Sequence, residues 1–574
     1  MVLKVILVIV ILGLIFIWKS GRDKKSYHAR MQVLFQEEWG MYTRDEYSDR
    51  IMENIRYYHE QKKTENSIDS ITWNDLEMET IFQYMNHTRT SAGEEYLYHI
   101  LHAPEFSVQE LEKREVVIQG FQKDALQRTE LELALYDIGK TDHISVYEFL
   151  SETKKLRPIR KFPHVFAALT LVLVMISLFF TPALSIMLLF LDMGMNAYFY
   201  YREKGKIVND IALFEFILGT IRECDVIAGL PIEGCRPQLE RLKELSARFG
   251  KFSRFHFLVS GGSTMSGNLF DSLFDYVRIL FHVDLIKLGT MIQEVKRYEE
   301  ELLEIYHIIG FLDSMLAIAS YRDMIGEYAV PVFWERGSNG GSLSEEREKI
   351  QKMEIQGLYH PLVSDPVKNN LSTEKCMLLT GSNASGKSTF IKAVAINVLF
   401  AQTIHTVLAD SYHASFFRVY SSMALRDDIL SKESYFIVEI KSLKRIFAAV
   451  QKPSDIPVLC FVDEILRGTN TVERVAASSQ LLQALSAERA MCFAATHDIE
   501  LTYLLEENFE NYHFEEQLGE GDISFDYRLR KGRADSRNAI RLLSVIGFDG
   551  ELVQKAQERV EHFLKEGVWE RCEM

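Results

Sequence analysis

The residues best suited to chemistry lie in KCMLLTGSNASGKSTFIKAVAINVLF, 375 to 400. A short apolar strand, Cys376 to Leu379, runs into Gly381-Ser382-Asn383-Ala384-Ser385-Gly386-Lys387-Ser388-Thr389 and then into an apolar-periodic helix. This is the GxxxxGK[ST] phosphate loop in the strand-loop-helix setting it requires. Glycines at its two ends let the backbone curl so that successive N–H groups and the helix N-terminus face phosphate oxygens. Lys387 is expected to reach the β- and γ-phosphates and Ser388 to ligate Mg²⁺. A second apolar strand, Val458 to Val462, ends in Asp463-Glu464. An acid delivered there can hold Mg²⁺ from the far side, and the adjacent Glu can act as general base toward water. A third strand, Met491 to Ala495, leads into Thr496-His497-Asp498, where His497 can sense the γ-phosphate or orient the water. A lone histidine at a strand end also has a purely structural reading. The catalytic candidates are therefore Glu464, His497 and Lys387, the metal-side candidates are Ser388 and Asp463, and the spacing implies an ATP-hydrolysing α/β domain.

These loops need a parallel sheet beneath them, and the rest of the chain reads differently. Residues 26 to about 150 show helical spacing, as at Leu97, Ile100 and Leu101. From about 205 to 330 long Leu-, Ile- and Phe-rich segments again have the helical period and suggest a helical arm. Within the second of these regions, ARFGKFSRFHF, 247 to 257, alternates Arg248, Lys251 and Arg254 with phenylalanines. That pattern can meet phosphates and stack on bases, or sit at lipid headgroups, or simply pack a Phe face beneath solvated cations. RGSNGGSLSEE, 336 to 346, is the clearest linker.

The 574 residues are 47% hydrophobic and 25% charged, which excludes a largely disordered or fibrous chain. A net charge of −16 counts against a surface that is basic all over, so any nucleic-acid contact must be local. The six cysteines have neither zinc-site nor disulfide-scaffold spacing and read as buried thiols in a reducing compartment.

Two regions read as membrane segments. The run from Val5 to Trp18 is followed by KSGRDKK and no small-residue cleavage site, so it is expected to be an uncleaved anchor. Phe162 to Tyr201, broken at Thr181-Pro182, divides into two segments of about 18 to 20 residues, each long enough for one crossing. Cations flank both outer ends, which places the soluble parts in the cytoplasm and the protein at the cell membrane. A buried soluble hairpin is the rival reading.

At this point the sequence resembles the ATPase domain of the MutS family of DNA mismatch repair proteins. GSNASGKST is similar to that family's GPNxxGKST, and DDILSKESYFIVEI, 427 to 440, to its DDLxxGxSTFxVEM. VDEILRGTNT, 462 to 471, resembles MDEIGRGTST, and ATHD, 495 to 498, resembles ATHY/F. YRLRKGRADSRNAIRLLSVIGFDGELVQKAQERV, 527 to 560, resembles the closing segment whose helices pair subunits. TWNDLEMETIFQYMNHTRTSAGEEYLYHILHAP, 72 to 104, is similar to the start of the helical core, with Thr88, Thr90, Gly93 and Leu97 in its TxTxxGxxxL pattern. The resemblance implies ATP and Mg²⁺ as cofactors and a homodimer that clamps DNA. It also implies Ser434 approaching the γ-phosphate of the partner subunit, and Tyr359 and His360 as adenine-side candidates. Leu466 stands where the family has Gly, and Glu473-Arg474 where it has Asp-Gly. Phe35-Gln36-Glu37 has the Phe-x-Glu spacing of a mismatch reader but lies close to the anchor, so mismatch specificity is not implied.

The expected architecture is an α/β P-loop ATPase domain of MutS/ABC-like type, a mostly α-helical core and lever region, and three transmembrane helices. The expected segments are an anchor (1–25), a helical core-like region (26–160), a transmembrane hairpin (161–203), a helical lever (204–345) and the ATPase domain with C-terminal dimerisation helices (346–574). The expected function is a membrane-tethered ATPase whose dimer holds DNA in repair or recombination. Two alternatives are an ABC-type membrane-complex component, which lacks its LSGGQ-like signature here, and an ATP-switched membrane scaffold without nucleic acid.

Overall fold

The computed structural model describes residues 22, 25–42, 47–141, 145–152, 159–205, 208–250, 276–334, 351–382, 385–423, 435–487, 490–518, 523–534, 540, 543–544 and 547–569. The chain divides into two compact units that interleave along the sequence. One is drawn from Met1–Lys63, Gln83–Ile100 and Lys113–Met324, the other from Thr64–Phe82, Leu101–Glu112 and Ile325–Met574.

The first unit is helical. Its central helix, Glu299–Ile325, buries a long run of apolar side chains and with them Asp313 and Arg322. The Asp313 carboxylate accepts the backbone N–H of Arg89 (3.0 Å), the N–H of Thr90 (2.8 Å) and the Thr90 hydroxyl (2.6 Å). Thr90 Oγ1 accepts in turn from the N–H of Gly93 (2.9 Å), capping the helix Ser91–His102. This explains the spacing of Thr90 and Gly93, since a Cβ on Gly93 would lie 2.1 Å from Asp313 Oδ2. Gly93→Ala is expected to lower stability by about 1–3 kcal/mol, read from the denaturant midpoint, because the carboxylate must move. Phe35 is buried, with the Arg89 guanidinium 4.4 Å from its ring and Tyr136 at its edge, so it serves as a core aromatic.

The helices Lys161–Ser177 and Pro182–Lys204 form an antiparallel hairpin in which Pro182 opens the second arm. Phe179 and Phe180 at the turn are 88% and 79% exposed, and Leu173, Met187 and Phe190 are also exposed along the arms. Two described helices are long and apolar enough to cross a membrane, Pro182–Lys204 and Glu299–Ile325. The second is mostly buried in the helical unit, and the first hairpin arm has only 17 residues. Of the two expected spans that fall on described residues, one, Pro182–Lys204, has spanning length and is exposed. The run ending at Trp18 lies outside the described residues.

The second unit is α/β. In chain order its strands are β1 (Val332–Phe333), β2 (Met353–Leu358), β3 (Asn369–Thr373), β4 (Cys376–Thr380), β5 (Ser411–Ala414) and β6 (Arg418–Ser422). They continue as β7 (Val458–Asp463), β8 (Ala490–Ala495), β9 (Phe509–His513), β10 (Glu516–Leu518), β11 (Ile523–Phe525) and β12 (Arg530–Lys531). One sheet has the order β12-β9-β4-β8-β7-β6, parallel except for β12, and a smaller one runs β1-β5-β2-β3. β4, β7 and β8 are almost entirely buried, which is why they read as continuous apolar runs without alternation. Their core includes Leu378, Val458, Cys460, Leu482 and Cys492. The five described cysteines are buried free thiols.

Residues from far upstream complete this unit. Asp75, in the helix Ser70–Asp75, accepts from Ser421 Oγ (2.6 Å) and Met423 N (2.9 Å), and Thr72 Oγ1 accepts from Ser421 N (3.1 Å). Asp69 pairs with Arg445 and Glu77 with Lys392. The α/β unit therefore draws on 64–82 and 101–112 as well as on the residues from Ile325 onward. The linker at 336–346 lies outside the described residues.

Candidate nucleotide site

The loop after β4 turns at Gly381 (φ 138°) and Gly386 (φ 99°), conformations that side chains with a Cβ resist. A Cβ at Gly381 would meet Phe514 O and Ser385 Oγ at 2.9 Å. Lys387 opens the helix Lys387–Thr403 and is only 3% exposed. Its ammonium folds back across the loop, donating to the carbonyls of Gly381 (2.8 Å) and Ser382 (2.6 Å). Ser385 Oγ donates to the same Ser382 carbonyl at 2.8 Å. Ser388 and Thr389 lie exposed on the first helical turn, and Asn383 and Ala384 lie outside the described residues.

β7 and β8 bring the other candidates to this loop. Ser388 Oγ donates to Asp463 Oδ2 at 2.5 Å, so the two metal-side candidates already touch. Asp463 Oδ1 is buried with no hydrogen-bond partner among the described residues, and burial raises this carboxyl above its ordinary value. An orphaned acid oxygen beside a serine hydroxyl, across from a phosphate loop, fits a hard divalent cation, as Mg²⁺ coordination requires. Glu464 has φ 53°, and its N–H is held by the Ala495 carbonyl at 2.9 Å. Its Oε1 lies 3.0 Å from His497 Nε2, and its Oε2 lies 2.6 Å from Arg467. Burial and the nearby Lys387 hold His497 below its ordinary pKa, against the pull of Glu464 and Asp463, which favours the neutral ring, whose N–H can be donated to Glu464.

Several supporting residues have no motif of their own. Glu439, in the helix Tyr435–Gln451, is 3% exposed and accepts the backbone N–H groups of Leu466 and Arg467. It holds the loop that carries Arg467 to Glu464. Leu466 takes φ 56°, a conformation that the Gly of the resembled pattern adopts freely. Here its buried side chain joins the sheet core, offsetting a backbone cost of about 1–2 kcal/mol. The Tyr527 ring lies against the phosphate loop, 3.1 Å from where a Gly386 Cβ would be, with Phe525 stacked on it at 5.9 Å. The spacing of Phe525 and Tyr527 two positions apart is the one signal for it in the sequence. Two departures from the resembled pattern also prove to be partners: Arg474 forms a two-pronged pair with Asp498, which stands where the pattern has Tyr or Phe.

Other candidates are placed elsewhere. Tyr359 donates its hydroxyl to the Glu327 carbonyl, and buried His360, pushed down to about 4 by burial, accepts from Leu362 N at 3.2 Å. Arg248 belongs to the helical unit and is paired with Glu301 at 2.7 Å, so it is not a free phosphate contact. Lys251, Arg254 and Ser434 lie outside the described residues.

Residues 377–564 match the family model for MutS domain V. Over 270 residues the chain is 28% identical to the DNA mismatch repair protein MutS of Thermus aquaticus, covering 46% of this chain and 31% of that protein. The MutS of Thermotoga maritima is 29% identical over 287 residues, covering 48% and 34%. The MutS of Thermotoga neapolitana is 31% identical over 290 residues, with the same coverage. The chain thus spans about a third of the length of these relatives. The matched stretch contains the phosphate loop, the acid pair after β7 and the histidine after β8, all brought to one end of the parallel sheet, and over that stretch the chain is similar to MutS domain V.

Proposed function

We propose that this protein is an Mg²⁺-dependent ATP hydrolase that works as a nucleotide-switched homodimer, holds DNA and is tethered to a membrane. The observation that carries the hydrolase reading is the convergence of Lys387, Ser388, Asp463, Glu464 and His497 at one end of the sheet. Lys387 and the loop N–H groups would hold the phosphates, and Ser388 and Asp463 would hold Mg²⁺, which when bound neutralises phosphate charge. Glu464 accepts the proton of the attacking water, and His497 fixes the orientation of that carboxylate. Tyr527, exposed beside Gly386, offers an aromatic face for the base.

Dimer formation is supported by the helix Gly550–Glu566, whose Val553, Ala556, Val560 and Phe563 share one face and none of whose described residues is buried. DNA as ligand is supported by the names of the relatives alone, and a membrane tether with the α/β unit on the cytoplasmic side by the exposed apolar hairpin and its flanking cations.

Full-length protein should hydrolyse ATP and bind a duplex, junction or single strand with salt-sensitive affinity. Lys387→Ala is expected to weaken ATP binding by about 10- to 100-fold, since a buried cation that meets the phosphates is lost. ATP turnover with no salt-sensitive DNA affinity would leave the scaffold reading in place. The tether is tested by the fraction retained on vesicles after alkaline carbonate washing.

A further inference from the structure

The turn that presents His497 is pinned on both sides. Before it, the Thr496 N–H donates to the Leu379 carbonyl of β4 at 2.9 Å. After it, the Asp498 N–H donates to Thr496 Oγ1 at 3.0 Å, and the Leu501 N–H donates to the Asp498 carbonyl at 3.2 Å. The Asp498 side chain is held from another element: Arg474, in the helix Thr471–Ala487, donates Nε to Oδ2 at 2.8 Å and its second nitrogen to Oδ1 at 2.6 Å. Asp498 is 8% exposed, so the pair is well shielded on the acid's side. A planar guanidinium gripping both carboxylate oxygens fixes orientation as well as distance, which a single ammonium contact cannot do.

The contacts close a ring. Glu464 meets His497, His497 is joined to Asp498, and Asp498 is gripped by Arg474. The chain then runs back from Arg474 to Arg467, which returns to the second oxygen of Glu464. Arg474 is also close enough to Glu464 to feel its charge.

We propose that Arg474 is a positioning residue for hydrolysis: its grip on Asp498 sets the Thr496–Asp498 turn so that His497 meets Glu464, tying the helix Thr471–Ala487 to the general base. This rests on the ATP-hydrolase reading. The ionisable groups facing His497 are Glu464 and Asp463 from β7 and Lys387 from the phosphate loop, and all three are unchanged in the variants below.

The test uses full-length Arg474→Ala, Arg474→Lys, Asp498→Asn and the exchanged pair Arg474→Asp with Asp498→Arg. Arg474→Ala and Asp498→Asn should lower kcat by about tenfold with the KM for ATP within about twofold, the signature of a misplaced catalytic group. Arg474→Lys should recover only part of the loss, because charge without the fork restores attraction and not orientation. The exchanged pair should recover more than either of its single changes. Placing Arg474→Ala on His497→Ala should cost nothing further, since both act through one ring. The ring titration of His497, followed by NMR with labelled histidine, should move downward in Arg474→Ala because the ring no longer meets Glu464, whose contact raises it. An unchanged kcat, an unchanged His497 midpoint, or a full additional loss in the His497→Ala background would each overturn the proposal. A purely structural salt bridge would lower the melting temperature and leave kcat and the midpoint where they were. If the unaltered protein hydrolyses no ATP, the hydrolase reading falls, while the His497 midpoint still decides whether Arg474 sets that turn.

Discussion

Glu464→Gln is expected to lower ATP turnover by about 100- to 10,000-fold, the range for removing a positioned general base, while ATP affinity stays within about twofold. The argument is geometric. Glu464 sits at the end of β7 in a left-handed backbone conformation, with one oxygen on His497 and the other on Arg467. Backbone held in that region is costly and persists only where the surroundings enforce it, here through the Ala495 carbonyl and the Glu439-supported loop. Glutamine keeps the shape and the bond from His497 but cannot take a proton from water. The phosphate cradle of Lys387 and the loop does not involve this carboxylate, so binding should survive. Steady-state turnover and equilibrium nucleotide binding on the same preparation check both halves. Normal turnover would remove Glu464 from the role of base.

Arg322→Leu should destabilise the protein by about 3–5 kcal/mol, the usual cost of breaking a buried ion pair from one side. Arg322 is fully buried in the helical unit, where its guanidinium forks onto Glu115 at 2.8 and 2.6 Å. Removing it leaves the Glu115 carboxylate in a low-dielectric setting without its guanidinium. Replacing both, Arg322→Leu with Glu115→Leu, should recover most of the loss, because the desolvation cost disappears together with the attraction. Denaturant titration followed by circular dichroism reads both variants. A single change as mild as the double one would mean that water reaches Glu115.

The candidate nucleotide site was legible along the chain because its pattern is encoded locally. A phosphate loop needs glycines at fixed positions, a lysine and a hydroxyl on the first helical turn, and buried parallel strands need continuous apolar runs; each of these is a short-range pattern. The limits of the units were not legible in this way. Asp75 and Thr72 satisfy Ser421 and Met423 across more than three hundred positions of sequence, and nothing near Asp75 announces that partner. The membrane reading shows the converse difficulty. Glu299–Ile325 and Pro182–Lys204 pass the same test of length and hydropathy, yet one is buried among neighbouring helices and the other is largely exposed.

By itself, then, the sequence singled out the residues proposed to cradle a phosphate, hold a divalent cation and accept a proton, because those proposals follow from residue type and spacing within a few positions. Tertiary structure alone decided what supports them. Glu439 under the loop, Tyr527 against Gly386, and Arg474 on Asp498 are contacts between elements distant along the chain. Their physical basis is burial and facing geometry, which exist only once the sheet and its helices have packed.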